Sequence, residues 1–248
     1  MVRFIFNYLA LLLIASCGSV RTYRSTGFDV VTITLNSANV HVISQNGDLI
    51  LVDSGHEKNA EKLTVKMRES GLDPKNIRAV VLTHGHADHA GGANYFKKNF
   101  GAKIVAGVGD RHMFESGKND PICPTNWIAR LRHNPDISAT YSPIQVDVWV
   151  QASLDLTTLS KVEATVSALS GHTPGSLVVF LGDVLFVGDL LRGSIFGSSA
   201  ETHFFMCDLI ANRLDVNHVM SAMAPKANVV FPGHFGPLTR QAVLKHFK

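Results

Sequence analysis

Charge is scarce in this 248-residue chain: Asp, Glu, Lys and Arg make up 17% of it, the formal net charge is +3, and lysine and arginine nowhere gather into a dense run. That withholds the hold on phosphates that nucleic-acid binding depends on. Cysteine is rarer, at three residues. With one of them in the N-terminal segment, Cys123 and Cys207 form the pair available downstream, open either to a disulfide in an oxidising compartment or to buried free thiols. The apolar stretch at residues 4–15 is broken by Asn7 and falls short of the roughly 20 residues of a membrane-spanning helix. Internal repeats and low-complexity linkers are also missing. With 46% hydrophobic residues, the chain can bury one sizeable core, or at most two small ones.

What is present begins with an export signal. Arg3 precedes the apolar stretch, whose length suits the core of a signal peptide. The stretch ends Ile14-Ala15-Ser16-Cys17, which resembles the lipobox of bacterial lipoproteins and makes Cys17 a lipidation candidate. The alternative is a plain signal peptide cleaved among the small residues at 15–18. The expected organisation is a signal peptide at 1–16, a tether at 17–28 and a catalytic domain at 29–248, in a periplasmic or secreted protein that is tethered rather than membrane-spanning if lipidated.

Strands are expected at 30–35, 40–43 and 49–52, with a turn at Asn46-Gly47-Asp48. Residues 57–69 carry apolar positions among charges without Gly or Pro, so a helix is expected, followed by a buried strand before His84, a helix over 88–99 and a short strand over 103–106. Residues 108–145, with four prolines, read as loop-rich. Further strands are expected at 162–169, 177–181, 184–187 and 227–231, and helices at 204–223 and 238–247. The interleaving predicts a single α/β domain with stacked sheets and outer helices.

Directly after the apolar run at 77–82 comes Thr-His-Gly-His-Ala-Asp-His-Ala-Gly-Gly, residues 83–92. In extended backbone His84 and His86 project to one side, and Asp88 and His89 follow at a helix start. Packing has no use for four such polar groups beside a buried strand. Imidazole with carboxylate suits zinc best, with iron and manganese as competitors. Downstream, His172, Asp189 and His234 each stand at or just beyond the end of an apolar strand, each preceded by a glycine that frees the backbone to aim the side chain.

This order, Asp53-Ser54-Gly55, then His-x-His-x-Asp-His, then His172, Asp189 and His234, resembles the metallo-β-lactamase superfamily over most of the chain. The resemblance implies an αββα sandwich, two mixed β-sheets flanked by helices, with a dinuclear centre at one edge. It implies that His84, His86 and His172 hold one metal, that Asp88, His89 and His234 hold the other, that Asp189 bridges both, and that Asp53 orients ligands from behind. Two zinc ions are the expected cofactor, with iron or manganese as substitutes. Two divalent ions about 3.5–4 Å apart can hold a bridging hydroxide and polarise the bond it attacks, and Asp88 is the candidate proton donor to the leaving group.

Within the superfamily the reaction is narrowed by what surrounds the ligands. Only 14 residues follow His234, too few for the helical domain of glyoxalase II enzymes, and the 45 residues from Asp189 to His234 leave no room for the inserted domain of the RNA-processing branch. True metallo-β-lactamases usually carry cysteine or serine at the bridging position, where this chain has Asp189; weak β-lactam hydrolysis stays open. The expectation is an exported hydrolase of a small ester, thioester or lactone, with no nucleic-acid partner. The alternative is a mononuclear iron persulfide dioxygenase-like oxidoreductase. Residues 108–145 and 191–206 are the expected substrate loops. Arg192 could pair with a substrate carboxylate and His203 could hydrogen-bond near the metals, although a solvated arginine and a surface histidine are the commoner outcomes; Phe204 and Phe205 read as core rather than substrate wall. His41, His56, His112, His133, His218 and His246 have no motif support as ligands.

Overall fold

The computed structural model describes residues 18–248, with side chains described throughout except at 132–136. The expected signal peptide at 1–16 and Cys17 lie outside the described residues. In chain order the strands are β1 Ser19–Ser25, β2 Phe28–Leu35, β3 Ala38–Gln45, β4 Asp48–Val52, β5 Ile77–Leu82, β6 Lys103–Gly107, β7 Val148–Val150, β8 Ser153–Asp155, β9 Thr165–Ala168, β10 Leu177–Leu181, β11 Val184–Gly188, β12 Arg192–Gly193, β13 Ala200–Glu201, β14 Val229–Pro232 and β15 Leu238–Thr239. The helices are α1 Ala60–Glu69, α2 Ala87–Ala90, α3 Ala93–Phe100, α4 Arg111–Ser116, α5 Trp127–Ile137, α6 Leu209–His218 and α7 Arg240–Phe247. None of the described helices is long and apolar enough to cross a membrane.

Strands β1 to β7 form one sheet in chain order, antiparallel as far as β4 and parallel from β4 to β7. The second sheet runs β15-β14-β11-β10-β9-β8, with β11 and β14 parallel and the other pairs antiparallel. Period-two alternation assigns the faces. On β4, Ile50 and Val52 point inward with Val81, Val179, Phe186 and Phe231 to fill the space between the sheets. Leu49 and Leu51 point outward against Leu63 and Met67 of α1 and Phe96 of α3. On the far side Leu185, Val187 and Val230 pack on Val216 of α6 and Val243 and Phe247 of α7. This is the αββα sandwich the sequence reading anticipates. Truncating a fully buried side chain such as Met67 to alanine would cost about 2–5 kcal/mol.

Residues 19–25, expected within a tether, instead pair with β2 over their whole length as an edge strand, while most of their side chains stay exposed. The segment 108–145 is more ordered than expected, holding α4 and α5. The expected helix over 88–99 is divided at Gly91-Gly92, where added Cβ atoms would collide with the backbone of Glu57 and Ser54. The helix expected from 204 begins at Leu209, because Asp208 caps it by accepting from the amides of Ile210 and Ala211.

Candidate metal centre

Strand ends of the two sheets converge on one point. β5 delivers His84, His86 and, through the first turn of α2, Asp88 and His89; the loop between β9 and β10 delivers His172; β11 delivers Asp189 and β14 delivers His234. The parallel pairing of β11 with β14 brings the last two together, and the Gly233 amide donates to the Gly188 carbonyl at 2.8 Å. Gly233 is required there: a Cβ would stand 2.3 Å from Asp189 Oδ1 and 2.6 Å from His89 Cε1. Gly188 has φ +51°, and a Cβ would meet the Thr83 side chain.

The donor atoms fall into overlapping groups: His84, His86 and His172; His84, His89 and Asp189; Asp88, His89 and His234; and His172, Asp189 and His203, each within 4.8 Å. His172 Nε2 is 3.3 Å from His86 Nδ1, and His89 Nε2 is 3.3 Å from His234 Nε2. Asp189 Oδ2 stands 3.8 Å from His84 Nε2, 3.4 Å from His89 Nε2, 3.9 Å from His172 Nε2 and 3.4 Å from His234 Nε2. Asp88 Oδ2 lies 3.4 Å from His234 Nε2, and 28% of its side chain is open to solvent. His84 Nε2 and Asp189 Oδ1 are buried without a hydrogen-bond partner. Buried polar atoms are rarely left so, and an unpartnered imidazole nitrogen among imidazole and carboxylate donors fits a divalent cation.

Charge is divided across the cluster. Burial, reinforced by neighbouring imidazoles, holds His84 well below the usual histidine range, and burial lowers His86 and His172 too. Burial opposes protonation at His89 and His234 as well, but the carboxylates of Asp189 and Asp88 overcome it, raising His89 well above its ordinary value and His234 to about 10. Burial would raise Asp88 and Asp189, yet the facing histidines keep both well below the usual carboxylate range.

The supporting bonds explain how the rings are aimed. Asp53 Oδ2 accepts from His89 Nδ1 at 2.8 Å and from Thr83 Oγ1 at 2.9 Å, while Oδ1 accepts from the Thr83 amide at 2.7 Å. These bonds tie the Asp53 carboxylate to the His89 ring and to Thr83. His234 Nδ1 faces the Ser37 carbonyl at 2.9 Å. Asn39 clamps the same turn, donating Nδ2 to the carbonyls of Pro232 at 2.9 Å and Phe235 at 2.7 Å. His41, without a role in the sequence reading, is buried beside it with Nδ1 on Thr32 Oγ1 at 2.9 Å and Nε2 on the Pro232 carbonyl at 3.2 Å.

Asp110 was not singled out in the sequence. Fully buried, it accepts from the Gly85 amide at 2.9 Å, Thr173 Oγ1 at 2.7 Å and the Gly175 amide at 2.7 Å, joining the loop of His84 and His86 to the loop of His172. No spacing signal marks it; its partners are distant in sequence. His203 lies in the cluster rather than at the surface: its Nε2 is 3.1 Å from Asp189 Oδ2, and burial lowers it to about 4. Arg192, considered above as a clamp for a substrate carboxylate, is buried in an ion pair with Glu201 and lies 3.9 Å from the centre of the Phe204 ring. Phe204 and Phe205 are buried but line the cavity over Asp88 and Asp189, together with Phe235, Ile122 and His56.

Cys123 and Cys207 form a disulfide. It staples two loops that already pair through the Thr125 amide on the Phe204 carbonyl and the Met206 amide on the Cys123 carbonyl, both at 2.8 Å. Thr125 Oγ1 donates to the His203 carbonyl at 2.9 Å, so the stapled pair carries His203 into the cluster.

Comparison with known proteins agrees with this geometry. Hydroxyacylglutathione hydrolase GloC of Haemophilus influenzae is 30% identical over 174 residues, spanning 66% of this chain and 74% of that protein. Probable metallo-hydrolase YflN of Bacillus subtilis is 28% identical over 173 residues, 63% of this chain and 62% of its own length. Among solved structures, the subclass B3 metallo-beta-lactamase BJP-1 of Bradyrhizobium japonicum has a TM-score of 0.59 at 23% identity, covering 83% of this chain and 74% of that one. MIM-1 of Novosphingobium pentaromativorans has a TM-score of 0.61 at 18% identity, covering 89% and 83%. These structural likenesses are of fold. The family model of the metallo-beta-lactamase superfamily matches residues 33–234, and the chain belongs to that superfamily.

Proposed function

We propose that the protein is an exported metallo-hydrolase that cleaves a small ester, thioester or lactone at a pair of divalent ions, zinc by preference. His84, His86 and His172 would hold one ion, Asp88, His89 and His234 the other, and Asp189 would reach both. The observation that carries this reading is the position of the Asp189 carboxylate: Oδ2 lies within 3.9 Å of a histidine Nε2 from each triad, and Oδ1 is buried without a partner. Such ions supply an activated water at neutral pH and polarise the scissile carbonyl. The name of the relative in Haemophilus influenzae, hydroxyacylglutathione hydrolase, supports the same reaction class.

The chain's own side chains would do the rest. Asp53 fixes the His89 ring. Asp88, ionised and the more open of the two carboxylates, is suited to take a proton from the attacking water and pass it to the leaving oxygen or sulfur. His203 Nδ1 lies 3.2 Å from the Phe205 amide and 3.1 Å from its carbonyl, while Nε2 faces the ionised Asp189 carboxylate, which can only accept; a neutral ring with its proton on Nε2 would present a donor to the reaction centre. Phe204 and Phe205 limit the access of bulk water. The disulfide supports export to an oxidising compartment, and a lipid on Cys17 would tether the protein to the membrane.

Replacing Asp189 with alanine should abolish hydrolysis across a panel of thioesters, lactones and β-lactams and lower the metal content below two per chain, with an unchanged circular dichroism spectrum. Full activity with two metals in that variant would overturn the assignment.

A further inference from the structure

The cavity over the metal ligands does not end at the metal ligands. It shares His86, Ile122 and Phe205 with a groove that continues past His172 to Pro174, Met206 and the Cys123–Cys207 disulfide. The groove is mostly apolar, and its one acidic side chain, Asp120, sits 2.7 Å from His112 Nε2. Among the described residues neither cavity is lined by lysine or arginine, and Arg192, the buried cation beside Phe204, is already paired with Glu201. The walls are held in place before any substrate arrives, by the paired loops and their disulfide.

Resting on the hydrolase reading, we infer that the substrate is an uncharged ester, thioester or lactone whose apolar acyl group of several carbons lies in the groove walled by Ile122, Phe205, Met206 and the Cys123–Cys207 disulfide. Water adds its hydroxyl to the acyl carbon and its proton to the departing oxygen or sulfur, giving a carboxylic acid and an alcohol or thiol. Three features select this class. The groove is continuous with the reaction centre, so an acyl carbon at the ligands directs its chain into it. Its surface rewards each buried methylene. A substrate bearing carboxylates, as glutathione conjugates do, meets Asp120 in the groove and finds no lysine or arginine there in return.

The test uses the zinc-loaded chain and two substrate sets. In a series of N-acetylcysteamine thioesters from acetyl to octanoyl, kcat/KM should rise roughly three- to fourfold per methylene over the first several carbons. For one acyl group, the N-acetylcysteamine thioester should be cleaved at least about tenfold more efficiently than the glutathione thioester. Phe205→Ala should flatten the chain-length series while retaining the wild-type metal content, which verifies that the variant is folded. A flat series, or a preference for the glutathione thioester, would overturn the inference and leave the hydrolase reading intact. Absence of turnover at every chain length with two metals bound would overturn the hydrolase reading and this inference with it.

Discussion

His203 Nε2 stands 3.1 Å from Asp189 Oδ2, although the two residues come from different loops and His203 belongs to no ligand motif. Its Nδ1 lies between the amide and the carbonyl of Phe205, which holds the ring in place, and Nε2 meets a carboxylate that can only accept, which favours the proton on the nitrogen facing the reaction centre. Removing a donor that meets developing charge on a substrate oxygen typically costs 10²–10³ in kcat. His203→Ala is therefore expected to lower kcat about 100-fold, with KM and metal content nearly unchanged. Steady-state kinetics alongside elemental analysis checks this, and a matching loss of metal would show the ring to be a ligand instead.

Asp110 takes three hydrogen bonds, two of them from backbone amides. Asp110→Asn would turn a donating amide toward at least one of these donors, leaving a buried N–H unmatched at a cost of about 2 kcal/mol. The expected result is a lower thermal midpoint and a zinc affinity weakened roughly 10- to 100-fold, as for other groups that orient ligands. Thermal melts and competitive zinc titration measure both; wild-type affinity in the variant would remove Asp110 from the positioning role.

His41 gives stability a pH dependence. Burial lowers it to about 4 from its ordinary 6.5. Between those values the unfolded chain binds a proton that the folded chain refuses, so stability is complete above pH 6.5 and falls as pH falls toward 4. The loss at this residue is about 3 kcal/mol. Urea unfolding of metal-free wild type and His41→Gln across that window should show a shallower acid dependence in the variant, and parallel curves would contradict it.

Zinc binding should displace protons. Without metal, His234 is raised to about 10 by Asp189 and Asp88 against the opposing effect of burial, so at pH 8 it is protonated and must become neutral to coordinate. Affinity should then increase with pH up to about 10. Calorimetry in buffers of different ionisation enthalpy at pH 8 should record the release of at least about one proton per chain; zinc uptake without release would contradict the coordination of His234.

Much of this candidate site is legible in the sequence because its candidate ligands sit at the ends of strands with strong apolar patterns, each flagged by a preceding glycine or by the crowding of 84–89. The β2–β4 hairpins and α1 are legible for the same reason: their alternation or helical spacing is complete within the segment. Asp110, His203 and Arg192 are not, since their burial depends on partners brought together only by the fold, as with Asp110 and Gly175, 65 residues apart. β1 escapes notice because its edge pairing is made by the backbone while most of its side chains remain in solvent, leaving no hydrophobic alternation to read. Helix α4 is obscured by its length of six residues, and α5, eleven residues long, by Pro135 within its span and by Pro121 and Pro124 before it. Residues 204–206 read as helix because they are apolar, yet pairing with the Cys123 segment holds them extended across the site.

The most direct test of a dinuclear hydrolase is the metal content per chain of protein purified without added metal or chelator, measured together with hydrolysis of thioesters and lactones. Two zinc ions per chain with turnover is the expected result. One iron per chain with no hydrolysis would contradict it and favour oxidation of a sulfur substrate.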